Sequence, residues 1–172
     1  MFNELVDFVE IETAWSQIAW GDEKDIAKYN APFYATGWFR WRTWRCPEAG
    51  IDNLVWQSEL THNEDYCKDE PYYMKPTPQA IKAQEILALY KWWTEVYPKR
   101  PDPHDASGWT AYCELSRLAN GGKMNWSSDK SPELKKASKL AHKELQKIEA
   151  AYEKEDEEMM IRLIKVRHGL WT

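Results

Sequence analysis

The chain has 172 residues, enough for one domain with a genuine core. Hydrophobic residues at 43% and charged residues at 30% are ordinary globular usage and exclude wholesale disorder. A net charge of −5 argues against duplex DNA bound through its phosphates, and no apolar run reaches the ~20 residues that span a bilayer.

The N-terminal segment predicts a helix over about 2–19. Phe8, Ile11, Trp15 and Ile18 recur at three- and four-residue steps, while Glu4, Asp7, Glu10 and Glu12 occupy other faces. Its first residues lack the basic start and apolar middle of a signal peptide, so a cytoplasmic protein with no membrane partner is expected. From Trp38 the period changes to two. Phe39 and Trp41 alternate with Arg40 and Arg42, and Leu54, Trp56, Ser58 and Leu60 alternate with Val55, Gln57 and Glu59. Two such runs around Cys46–Asp52 predict an antiparallel β-hairpin over about 38–61, packed on the helices.

Thr77-Pro78 opens a helix over about 78–97, with Ile86, Leu89, Trp93 and Val96 as its apolar stripe. Prolines 98, 101 and 103 stiffen the turn that follows. A helix over about 107–119 stops at Asn120-Gly121-Gly122, a left-handed cap signal. Ser131-Pro132-Glu133 then opens a helix over about 132–168, where the acidic run Glu153–Glu158 is the place to expect a kink. The predicted fold is mainly α: four or five helices in a single domain, 1–172, carrying the small hairpin. Cys46, Cys67 and Cys113 form no metal or disulfide pattern and read as reduced thiols.

Eleven tryptophans are the compositional outlier. Trp15, Trp41, Trp56 and Trp93 fit apolar stripes. Trp38, Trp44, Trp92 and Trp109 fall in two candidate sites. In the first, Trp38, Arg40, Arg42 and Trp44 interleave flat rings with guanidinium groups, as a single-strand nucleic acid or a nucleotide requires. The plain structural reading is a half-buried strand with arginines turned outward. In the second, Trp92, Arg100, Asp102, His104 and Trp109 flank the proline turn, where a rigid loop presents polar groups to a ligand. Its structural reading is a turn whose Asp residues cap the next helix.

A third candidate is acidic. Glu149, Glu153, Asp156 and Glu157 recur at helical steps and suit a divalent metal, as in all-α nucleotide hydrolases, although interspersed lysines also mark a solvated face. No nucleophile elbow, P-loop or dinucleotide fingerprint is present, so no catalytic residue and no cofactor is assigned outside that metal alternative.

In the blocks Leu89-Tyr90-x-Trp92-Trp93-x-x-Val96-x-Pro98-x-Arg100-Pro101-Asp102-Pro103 and Glu158-Met159-Met160-Ile161-Arg162-Leu163-Ile164-Lys165, and in its Leu170-Trp171-Thr172 ending, the chain resembles uncharacterised proteins of tailed bacteriophages. The resemblance covers most of residues 54–172. It implies a host cytoplasm during infection and carries no activity. Together these features predict a non-enzymatic binding protein that engages a host protein or sequesters a small anionic, nucleotide-like ligand. The alternatives are a metal-dependent nucleotide hydrolase, a single-strand nucleic-acid binder and a phage structural or assembly component. Oligomeric state is not readable from the sequence.

Overall fold

Helices account for nearly all regular structure in the computed structural model, which describes residues 1–36, 41–122, 131–167 and 170. The first helical segment is composite. Helix α1 (Phe2–Asp7) passes into a π-helical turn at Phe8–Thr13 and continues as α2 (Ala14–Gln17). Helix α3 (Glu23–Lys28) follows, with the Asp22 carboxylate accepting the Lys24 amide at its start.

The predicted hairpin is overturned. Among the described residues there is no β-strand, and β-pairing is limited to an isolated antiparallel bridge between Thr61 and Pro76. Trp41–Thr43 is a single 3-10 turn, and Pro47–Ser58 is helix α4. Residues 37–40 lie outside the described residues. The cause is local: Cys46 is extended and Pro47 takes the first helical position, a start signal that the alternation beyond it masks. The buried residues of α4 are Ala49, Gly50, Asn53 and Leu54, a helical spacing, while Val55 and Trp56 point to solvent.

Helix α5 (Pro78–Lys91) starts with the Thr77 hydroxyl accepting the Ala80 amide, then opens into a second π-turn at Trp92–Val96. A short α6 (Pro103–Ala106) precedes α7 (Trp109–Ala119), which ends with Gly121 at φ 65° and Gly122 at φ 87°. The Gly122 amide donates back to the Arg117 carbonyl, as the sequence signal requires. Helix α8 (Pro132–Val166) runs unbroken through the acidic stretch.

The chain forms two compact units, one of Met1–Pro98 with Ile161–Thr172 and one of Lys99–Met160. In the first, α4 packs on α5 and on the π-turn of the first helical segment. Leu5, Val9, Leu54, Leu89 and Leu163 are almost wholly buried, each leucine contributing about 2 kcal/mol of apolar burial. An adjoining cluster gathers Ile18, Tyr29, Ala35, Trp44 and Cys46, with Trp20 against it. In the second unit Tyr112, Ala141 and Leu145 are buried, and the Trp109 ring lies 5.3 Å from Tyr112 and 5.8 Å from His142.

Helices α3 and α4 are tied by a polar triad. Lys28 Nζ donates to the Tyr29 hydroxyl (2.7 Å) and to Asp52 (2.9 Å), and Tyr29 donates to Asp52 at 2.8 Å. The Lys28 hydrogen bond, then that of Tyr29, holds the Asp52 carboxyl below its ordinary value of 3.8. A carboxyl lowered on folding stabilises the native state above its unfolded pKa, and that contribution disappears as pH falls through the folded one. Asp52→Asn is therefore expected to lower the denaturation midpoint at neutral pH. Its difference from the parent should shrink as pH falls below the ordinary aspartate value and on through the lowered folded one, read from urea melts across pH.

Gly50 has a separate steric role. A Cβ there would overlap the Val9 carbonyl oxygen and approach its carbon to 2.9 Å. Alanine at an unconstrained helical glycine stabilises by about 1 kcal/mol. Here Gly50→Ala is expected to destabilise by about 2–3 kcal/mol, because backbone rather than side chain must move. Urea unfolding of the two proteins gives the sign directly.

Candidate functional site

The first helical segment buries Leu5, Val9, Thr13 and Ala14, and with them Glu10, which is only 8% exposed. A buried carboxylate needs partners. Tyr90 of α5 donates its hydroxyl to Glu10 at 2.8 Å, and Arg45 donates Nη1 at 2.7 Å while its Nη2 pairs with Asp7. The Glu10 carbonyl accepts the Cys46 amide at 2.8 Å, so side chain and backbone of one residue hold the two residues that lead directly into α4. π-turns occur often at functional sites, where the inserted residue re-aims side chains. Burial, then the bond to Glu10, pushes the Tyr90 phenol above its ordinary value, so it stays protonated and serves as a donor.

The opposite side of the same turn borders a cavity of about 620 Å³. Phe8, Ile11 and Leu170 supply apolar wall, and Glu4, Asp7, Glu12 and Arg42 its polar groups. Glu4 pairs with the Met1 amine and Asp7 with Arg45, whereas Glu12 has no ion-pair partner among the described residues. A smaller cavity of about 180 Å³ shares Glu4 and Leu170 and adds Met1, Leu163 and Arg167. The lining sets acidic groups beside an apolar wall.

Compared with known proteins, the chain matches no family model, no curated protein and no solved structure. Its candidate residues are therefore weighed on their own geometry.

Of the basic–aromatic group, Trp38 and Arg40 lie outside the described residues. Arg42 borders the large cavity, and Trp44 is buried, its ring edge-on to Trp20 at 5.7 Å. The proline-turn group does not converge. Trp92 is buried beside Phe2 (5.2 Å) and Tyr97 (5.5 Å). Arg100 pairs with Asp156 at 2.6 Å and Glu155 at 2.8 Å, its guanidinium 4.8 Å from the Tyr152 ring centroid. Asp102 accepts the His104 amide at 2.8 Å, a bond that lowers its carboxyl, and the His104 ring stands beside it in solvent. Trp109 packs in the α7–α8 contact. Of the acidic group, Glu149, Glu153 and Glu157 are exposed on α8 and Asp156 is held by Arg100. No group of three or more His, Cys, Asp or Glu side chains among the described residues is placed to hold a metal.

The sequence reading missed Glu10 and Asp7 because a single apolar stripe was expected on the first helix. Two exist. Phe8 and Ile11 line the cavity, while Leu5, Val9 and Ala14 face the core. The four-residue step from Leu5 to Val9 was the available signal. Tyr90→Phe is expected to cost about 1–2 kcal/mol by leaving a buried carboxylate short of a donor. Glu12→Gln on the cavity side should be near neutral for stability, and chemical denaturation separates the two.

Proposed function

We propose that the chain is a non-enzymatic binding protein, and that the cavity beside Phe8–Thr13 takes a protein segment with a basic residue next to an apolar one. The observation that carries this reading is the lining itself. Glu12 offers an uncommitted carboxylate, and Phe8, Ile11 and Leu170 offer apolar contact at its side. Recognition sites of this size are mostly apolar with a few placed polar groups. A small anion is disfavoured there because Glu4, Asp7 and Glu12 outnumber Arg42. At the proline turn, Arg100 already pairs with two carboxylates. The resemblance of the Leu89–Pro103 and Glu158–Thr172 blocks to tailed-phage proteins makes proteins of a bacterial host the partner pool to search.

The test is a titration of the protein with capped Lys-Leu and Glu-Leu dipeptides and with AMP, followed by amide NMR shifts. Lys-Leu should move Phe8, Ile11 and Glu12, and Ile11→Trp should abolish the response by filling the space. Glu12→Gln should weaken it about fivefold, the equivalent of roughly 1 kcal/mol. Equal response to Glu-Leu, or none to any probe, would overturn the assignment of the cavity. AMP acting at these residues would restore the anion reading, and Mg²⁺-dependent turnover of nucleotides would remove the non-enzymatic one.

A further inference from the structure

Helix α8 carries its charge in two blocks. Lys135, Lys139, Lys143 and Lys147 step by four residues, and Glu149, Glu153 and Glu157 repeat that step in a second series offset by two residues. Eighteen residues make five helical turns, so Lys135 and Glu153 share one direction, as do Lys139 and Glu157. All seven are exposed. The inward side of this part of α8 is a different one, occupied by Ala141 and Leu145.

For a lone helix this pattern is unfavourable. Like charges four residues apart repel. Lys147 has a partner in Glu144 at 2.6 Å, but Lys139, Lys143, Glu153 and Glu157 have no ion pair among the described residues. A basic ladder followed by an acidic one of equal pitch is complementary to its own antiparallel copy. With a two-fold axis at the level of Ile148, Lys139 comes level with Glu157 and Lys143 with Glu153. Each pair recurs across the axis, the reciprocity an isologous contact demands. Leu140, 62% exposed beside the lysines, comes level with the acidic end of the partner helix and adds apolar contact there.

We propose that a second copy of this chain docks antiparallel on the Lys135–Glu157 face of α8, in a register set by these ladders. Exposed pairs are individually weak, so the association is salt-sensitive rather than obligate.

Sedimentation velocity over a concentration series tests it. The dissociation constant should rise at least tenfold between about 0.03 M and about 0.5 M NaCl. Lys139→Glu with Lys143→Glu should give a monomer, as should Glu153→Lys with Glu157→Lys. Mixing the two variants should restore a dimer, and so should combining all four substitutions in one chain. Circular dichroism checks that each variant keeps its helix, and the neutral pair Lys143→Gln with Glu153→Gln should give a graded loss if a reversal unfolds. A monomer at every concentration in low salt overturns the proposal. So does a dimer that ignores both salt and the reversals, or reversals that fail to complement.

Discussion

Backbone meets backbone where α4 crosses the π-turn of the first helical segment, at Gly50 and the Val9 carbonyl. No side chain fits between them, so the two helical segments approach more closely than ordinary side-chain packing allows. That closeness brings the Cys46 amide to the Glu10 carbonyl and sets Arg45 beside the Glu10 carboxylate. With Glu10 fixed, the Tyr90 hydroxyl has an acceptor deep in the core, and α5 is positioned by a polar contact as well as by Ala83, Ile86 and Leu89. The turn that makes room inside also directs Phe8 and Ile11 toward the cavity. Core and candidate site are two sides of one widened helical turn.

The sequence made the helices legible wherever capping chemistry announced them. Thr77-Pro78 and the Asn120-Gly121-Gly122 stop act in the structure through the hydrogen bonds their residue types suggest. It misled at α4, where Leu54, Trp56, Ser58 and Leu60 alternate by coincidence and Gly50 looked like a loop residue. Burial settles the period there: Gly50 and Leu54 are inside, Trp56 is not. π-turns are harder to foresee, since each admits an extra residue and shifts an extrapolated stripe out of phase. Beyond Lys91 that shift exchanges the expected roles, with Trp92 buried and Trp93 half-exposed, stacked on Phe2 at 4.7 Å and Tyr97 at 4.6 Å. A buried glutamate leaves no mark in hydropathy, so Glu10 emerges only once Tyr90 and Arg45 are seen around it.

Charge type divides by task. Arg45 bridges Glu10 and Asp7, Arg100 bridges Asp156 and Glu155, and Arg162 meets Glu85 through Nε at 2.6 Å and Nη2 at 3.0 Å. A planar guanidinium suits such two-toothed contacts, and each joins segments distant in sequence. Lysine, with a flexible and strongly hydrated head, ties α3 to α4 at Lys28 but on α8 stands on the outer face, beside glutamates that have no ion pair among the described residues. Arg100, whose guanidinium looked like a ligand hook in the sequence, acts like Arg45 and Arg162 as an internal tie.

The tryptophans follow from the same architecture. A chain built of short helices and turns leaves irregular gaps at their ends, together with helix-end carbonyls that need donors. An indole answers both needs, with a large rigid body and one N–H. Trp15 donates Nε1 to the Ala35 carbonyl at 3.0 Å, Trp20 donates to the Trp15 carbonyl at 3.1 Å, and Trp44 closes against Trp20. Trp92 and Trp93 flank Phe2 at the end of α5, and Trp109 fills the space between Tyr112 and His142. Trp56, 58% exposed, is the exception among the described indoles. Aromatic excess is therefore weak evidence for a ligand in this chain, because Trp44, Trp92 and Trp109, which matched a binding pattern, pack against other rings. Apolar surface with no such duty lies on the first helix, where Phe8 and Ile11 line the cavity.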